Sequence, residues 1–154
     1  YGHKILNLMP TNLYGPNDNF SEMDSHVIPG LINRMHNSMI SKEPSFNVWG
    51  TGTPKREFLY VDDLSYAIKF LIQNEIDEGL YNIGSGFEIS IASLVDTIAE
   101  IVKYEGKIEF DTKYPDGNPR KAIDSSKINE LGWKPKVDIR NGLKITYDWY
   151  KSNL

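Results

Sequence analysis

The chain has 154 residues, 40% hydrophobic and 25% charged, and 17 Lys+Arg against 21 Asp+Glu leave a formal charge of −4. This is a globular composition with chain enough for a real core, and its mild acidity speaks against nucleic acid, which usually needs a concentrated basic surface. The apolar runs are too short for a transmembrane helix, and the absence of cysteine excludes disulfides, thiolate metal sites and a cysteine nucleophile from the chain.

The sequence opens on Tyr1-Gly2-His3 without a Met, as a chain cut from something longer would, and shows no charged-then-apolar leader. A strand is predicted over Lys4–Met9 and stopped by Pro10, which lacks the N–H a ladder needs. The stretch from Pro10 to Asp24 is rich in Pro, Asn, Gly and Asp, and is expected to be a functional loop. Ser25 is the expected cap of a helix over Val27–Ile40, with Ile28, Leu31, Ile32, Met35 and Met39 at helical spacing.

Short strands are predicted near Phe46–Trp49 and Glu57–Tyr60, joined by Gly50-Thr51-Gly52-Thr53-Pro54. Asp62 is the expected cap of a helix with Leu64, Ala67, Ile68, Leu71 and Ile72 on one face, and Leu80–Ile83 reads as a short buried strand. Ser90 caps a third helix, Lys107–Asp111 is a candidate strand, and Tyr114–Lys121 is a loop. A short helix starts at Ser125 or Ser126, and Ile139–Lys151 is the last helix. There is no internal repeat, and helices alternating with short strands place the chain in the α/β or α+β class.

Gly84-Ser85-Gly86 lies between a strand and a helix but lacks the third glycine of a dinucleotide fingerprint, so it reads as a structural turn. His26, at a helix start beside a polar loop, has two readings: a capping or surface residue, or a proton donor, since imidazole titrates near neutral pH. His3 and His36 have no such setting, and the three histidines are too scattered for a metal site. Arg34, Trp49, Arg56, Arg120 and Lys121 would suit a nucleotide diphosphate, with guanidinium on phosphate and indole on base; composition alone favours solvated arginines and a core tryptophan. The loop Asp116-Gly117-Asn118-Pro119-Arg120-Lys121 carries more weight, because ligand contacts favour loops held on a scaffold. Tyr147 and Lys151 have reductase-like spacing but sit in the last helix and are expected at the surface.

Met9-Pro10-Thr11-Asn12-Leu13-Tyr14-Gly15-Pro16, Ser25-His26-Val27-Ile28-Pro29, the segment from Trp49 to Leu59 and Pro115-Asp116-Gly117-Asn118-Pro119-Arg120-Lys121 together resemble the GDP-L-fucose synthases. The resemblance runs from Tyr1 to the last helix. It implies an α/β fold, the C-terminal part of an extended short-chain dehydrogenase/reductase. Residues 1–24 would end the NADP-binding Rossmann part and its active-site loop. Residues 25–154 would be mainly substrate-binding, with 79–84 returning as a Rossmann strand. It also implies an NADPH-dependent epimerisation, at carbons 3 and 5, and 4-keto reduction of GDP-4-keto-6-deoxy-D-mannose to GDP-L-fucose. Pro10, Thr11, Asn12, Leu13 and His26 would meet NADP(H), His26 would be the general acid, and Arg34, Trp49, Arg56, Asp116 and Lys121 would hold the GDP-sugar. The glycine-rich loop, the Ser/Tyr/Lys set and the epimerisation cysteine of the family are missing from this sequence. The chain therefore reads as half an enzyme, partnered by an N-terminal half in cis or as a separate chain, a homodimer when complete, cytoplasmic, with no membrane or nucleic-acid partner. An inactive fragment that only binds GDP or a GDP-sugar, and a related nucleotide-sugar epimerase or dehydratase, are the alternatives.

Overall fold

The computed structural model describes residues 3–22 and 24–154, so Tyr1, where the resemblance begins, Gly2 and Met23 of the polar loop lie outside the described residues. The elements in chain order are β1 (Leu6–Pro10), β2 (Asn12–Tyr14), α1 (Val27–Ile40), β3 (Ser45–Trp49), β4 (Lys55–Tyr60), α2 (Val61–Gln73) and β5 (Gly79–Ile83). They continue with β6 (Glu88–Ser90), α3 (Ile91–Val102), β7 (Lys107–Asp111), β8 (Arg120–Lys121), α4 (Ser126–Glu130) and α5 (Ile139–Ser152). The helix over Val27–Ile40 and the strand over Lys107–Asp111 have the bounds expected from their apolar spacing. Strand β1 keeps Pro10 as its last residue, opposite Ile83, because a terminal proline needs no N–H for the ladder.

Three small sheets share the strands. β1 pairs in parallel with β5, and β3 pairs in parallel with β7. Strand β4 has two sets of neighbours: Phe58–Tyr60 pair in parallel with β2, whereas Lys55–Glu57 lie between antiparallel β6 and parallel β8. The Gly50–Pro54 connection therefore carries the chain from one sheet to another. Gly50 and Gly52 both take positive φ there, which a side chain would resist.

Two apolar clusters hold the elements. The larger packs Ile28, Leu31, Ile32 and Met35 of α1 against Leu94, Val95 and Ile98 of α3, Leu143 of α5 and the inward residues of β3 and β4. The smaller packs Ala67 and Leu71 of α2 on Leu59, Tyr81 and Ile83, and Trp133 and Ile128 close it. Each fully buried aliphatic side chain contributes about 1.5–3 kcal/mol relative to exposure.

Several expectations are corrected. Ser25 does not cap α1: His26 is the N-cap and makes no side-chain cap hydrogen bond, and the Ser25 hydroxyl lies against Gly30, 2.6 Å from where a Cβ would stand. Asp62 does not cap α2, because β4 runs straight into the helix and Tyr60 is the N-cap. Both Asp62 and Asp63 lie in the first turn, where the helix dipole favours a carboxylate. Asp63 turns inward to accept hydrogen bonds from the Lys136 and Val137 amides at 2.9 and 3.0 Å. Ile68 and Ile72 leave the expected buried face and are exposed, as is Leu80. The stretch from Pro10 to Asp24 is not all loop, since it holds β2. Tyr147 is buried rather than at the surface, with Lys151 over its ring.

Tyr147 and His36 form the buried polar joint between α1 and α5, with His36 Nδ1 3.0 Å from Tyr147 Oη. Burial, reinforced by the Lys151 charge, holds the His36 imidazole below its ordinary value. As pH falls the unfolded chain binds the proton first, so stability is complete above about 6.5 and declines below it until folded His36 is protonated too. The urea midpoint is expected to fall between about pH 7.5 and pH 5.5, and His36→Gln to remove most of that fall; parallel midpoints for both chains would refute this.

Candidate functional site

The mouth of the fold is a cleft of about 1020 Å³. One wall is the chain leaving β1 and entering β2, with Pro10, Thr11, Asn12 and Leu13 on it. Local chemistry places this wall firmly. The Thr11 amide donates to Ile83 O at 3.0 Å, while Thr11 Oγ1 and Asn12 Nδ2 donate to Glu57 O at 3.2 and 2.7 Å. The sheet of β1 and β5 is thereby tied to strand β4.

His26 lies at the start of α1 on the rim of the same cleft, with Asn17, Asp18 and Ser25 beside it. Its extended backbone (φ −71°, ψ 171°) lets its carbonyl accept the first helical hydrogen bond, from Gly30 N at 2.9 Å. Its side chain makes no cap hydrogen bond. An anion near this end would meet the amide end of the helix as well as the imidazole.

The same cleft is also lined by basic residues. Arg56 and Lys121 line it together with Asn118. Arg56 Nη1 is steadied by donating to Lys55 O and Asn118 O at 2.8 and 2.6 Å. Arg120, next to Lys121, is instead fully engaged by Glu88 through two 2.8 Å hydrogen bonds. That pairing holds the Glu88 carboxyl below its usual range.

The remaining expected substrate residues stand apart from the cleft wall. Arg34 lies on α1 with Nη2 donating to Asn47 O at 2.5 Å and its guanidinium 5.0 Å from the Phe46 ring centroid and 5.9 Å from that of Trp49. Partial burial keeps the Arg34 pKa below its ordinary value. Trp49 is no core residue: it is 63% exposed. Its indole stacks on Tyr114 with centroids 4.7 Å apart and 18° between planes. Alternation along β3 explains this, since Phe46 and Val48 point inward and Trp49 outward.

Asp116 binds its own protein. Thr51 N and Thr51 Oγ1 donate to its two oxygens at 2.8 and 2.6 Å, and these bonds hold its carboxyl below the usual range. The segment from Asp116 to Lys121 thus runs from the Trp49–Tyr114 stack to the basic wall. Sequence reading passed over Tyr114, Asn118 and Glu57. A lone acid ahead of the apolar run Phe58-Leu59-Tyr60 was the available signal for Glu57.

Comparison with known proteins agrees with this arrangement. The family model described as the NAD dependent epimerase/dehydratase family matches residues 1–84. The chain belongs to that family. It is 49% identical over 154 residues to a protein named probable GDP-L-fucose synthase 1 from Oryza sativa subsp. japonica, covering 100% of this chain and 47% of that one. It is 41% identical to GDP-L-fucose synthase of Escherichia coli strain K12, covering 99% of this chain and 50% of the relative. Among solved structures, a GDP-L-fucose synthetase from Naegleria fowleri bound to NADP superposes with a TM-score of 0.85 at 29% identity, over 95% of this chain and 46% of that one. The chain spans about half the length of the curated relatives it matches, and its fold is the corresponding part of a Rossmann-type α/β enzyme. Among the described residues no helix is long and apolar enough to cross a membrane.

The Asp116–Thr51 latch makes a local prediction. It holds above the ordinary carboxylate range and releases as pH falls through the lowered value of Asp116. At neutral pH, Asp116→Ala is expected to raise hydrogen exchange at the Thr51 amide roughly tenfold, and unchanged exchange would show that the latch does not order the loop.

Proposed function

We propose that the chain is the substrate-binding half of a GDP-L-fucose synthase. Joined to its N-terminal half, in cis or as a separate chain, it would epimerise GDP-4-keto-6-deoxy-D-mannose at carbons 3 and 5 and reduce the 4-keto group with NADPH. In this reading residues 1–24 and 79–84 belong with the cofactor-binding part and the rest mainly with the substrate. The observation that carries it is one cleft lined by Pro10–Leu13, His26, Arg56 and Lys121 together. The names of the relatives support it, GDP-L-fucose synthases from plants and bacteria among them.

The donors suit the ligands. Arg56 and Lys121 match a diphosphate, the former through parallel N–H groups. The Trp49–Tyr114 stack offers a flat face to a base, and Arg34 adds a cation beside it. NADP(H), held at its nicotinamide end by Pro10–Leu13, would supply the hydride for the ketone. In the epimerisation the 4-keto group acidifies the hydrogens on both neighbouring carbons. A base supplied by the other half would take such a proton and leave an enolate, and His26 would return a proton to the ring carbon while its own N–H bond breaks.

The surface of β1 and β5 supports a covering half. Parallel sheets are normally covered on both faces. Here Met9, Leu80 and Ile5 are 56%, 55% and 62% exposed, and Ile72 on neighbouring α2 is 65% exposed. A homodimer of the completed enzyme belongs to the same proposal.

Calorimetry with the purified chain should show weak GDP binding and no NADPH-dependent turnover of the 4-keto sugar. Arg56→Ala should weaken GDP binding about tenfold, the loss of one charge-assisted pair. No heat at millimolar GDP, or an unchanged affinity in the variant, would count against the reading. In the chain joined to its other half, His26→Gln should suppress epimerisation far more than reduction, as followed by solvent deuterium incorporation against NADPH oxidation. Equal loss of both would remove His26 from the proton-returning role.

A further inference from the structure

Glu57 is 1% exposed and stands where β4 changes neighbours, opposite Glu88 of β6, with Phe58, the next residue, opposite Asn12 of β2. A buried carboxylate is costly unless its oxygens are taken up. Among the described residues Glu57 makes no ion pair; instead two main-chain amides serve it. Gly86 N donates to Oε1 at 2.8 Å and Ile123 N donates to Oε2 at 2.9 Å. The carbonyl of the same residue accepts from Thr11 Oγ1 and Asn12 Nδ2. One residue thus gathers three segments that are remote in sequence: the Thr11–Asn12 wall of the cleft, the turn after β5, and the segment that follows Lys121. The packing is shaped around that carboxylate. A Cβ on Gly84 would stand 2.3 Å from Oε1 and 2.8 Å from Ser125 Oγ, and the buried Ser125 hydroxyl has no hydrogen-bond partner among the described residues.

We infer that Glu57 is a positioning residue for the cleft: its carboxylate and carbonyl hold the Thr11–Asn12 wall and the Lys121 wall in one frame. This rests on the reading of the cleft as a GDP-sugar and NADP(H) site. Glu57 touches neither ligand in this role. It acts by fixing the spacing of the walls that do. Glutamine cannot replace it, because the amide would turn an NH₂ towards one of the two backbone N–H donors and leave that bond unmade.

The test uses the whole chain with GDP as probe, read by calorimetry and by amide NMR well below the melting temperature. Glu57→Gln should shift the amide signals of Thr11, Asn12 and Lys121 while leaving those of Asn33 and Tyr150 in place. It should also weaken GDP about tenfold or more in protein that is still folded. A purely structural role would lower the melting temperature and leave the affinity of the folded chain unchanged, and that result overturns the inference. Gly84→Ala, which keeps the charge but displaces the carboxylate, should reproduce the same shifts and loss. In the unaltered chain, saturating GDP should slow exchange of the Gly86 and Ile123 amides at least about fivefold, by reciprocity of coupled equilibria. Unchanged exchange there overturns the inference even if both variants fail to fold. If the unaltered chain binds no GDP, the functional reading fails, and Glu57 is judged by the ligand-free Thr11, Asn12 and Lys121 shifts of Glu57→Gln.

Discussion

A charged side chain sealed inside a protein must be answered by donors, and in this chain that requirement organises the cleft. Glu57 sits in the middle of the strand that every other part of the site leans on. Its oxygens take amides from the Gly84–Gly86 turn and from Ile123, and its carbonyl takes the side chains of Thr11 and Asn12. These bonds add to the ladder hydrogen bonds by which β4 already holds β2 and β8 and β1 holds β5. The apolar clusters on either side supply cohesion, but hydrophobic packing is not directional. Hydrogen bonds, those of the strand ladders and those to Glu57, supply the direction that packing cannot.

The groups proposed to meet ligand are divided between a polar cleft and an aromatic patch, and the segment from Asp111 to Lys121 spans the two. Thr51 holds Asp116 at one end and Arg56 holds Asn118 O in the middle. A loop already tied in this way loses little further freedom when a ligand arrives, so more of the contact energy is available for affinity. The residues proposed to meet substrate are placed in two different ways. Arg56 and Lys121 line the cleft, whereas Asp116 anchors a loop through Thr51.

Helices were the most legible part of the sequence, because their apolar residues recur at a spacing that no other structure satisfies. Ile28, Leu31, Ile32 and Met35 define α1 without help from the rest of the chain. Caps were less legible. Ser25 and Asp62 are chemically good caps, yet the strand-to-helix junction at Tyr60 and the placement of Ser25 over Gly30 decide otherwise, and both depend on tertiary context. The cleft was legible through strings such as Ser25-His26-Val27-Ile28-Pro29, which carry a family likeness rather than a local rule. Glu57 was only faintly legible, as a lone acid ahead of Phe58-Leu59-Tyr60, because its partners are backbone amides that residue identity does not reveal.

Sheet pairing also sets an order of events. Leu6 of β1 waits for Gly79, and the neighbouring Lys4 reaches across 73 residues to Asp77. Closing so long a loop is entropically expensive and slow compared with winding α1 or α2. Pairing of β1 with β5 therefore has to wait until the chain as far as Ile83 is present, while α1 and α2 between them can already form. The Thr11 wall of the cleft, fastened to Ile83 O, is completed only after β5 is in place.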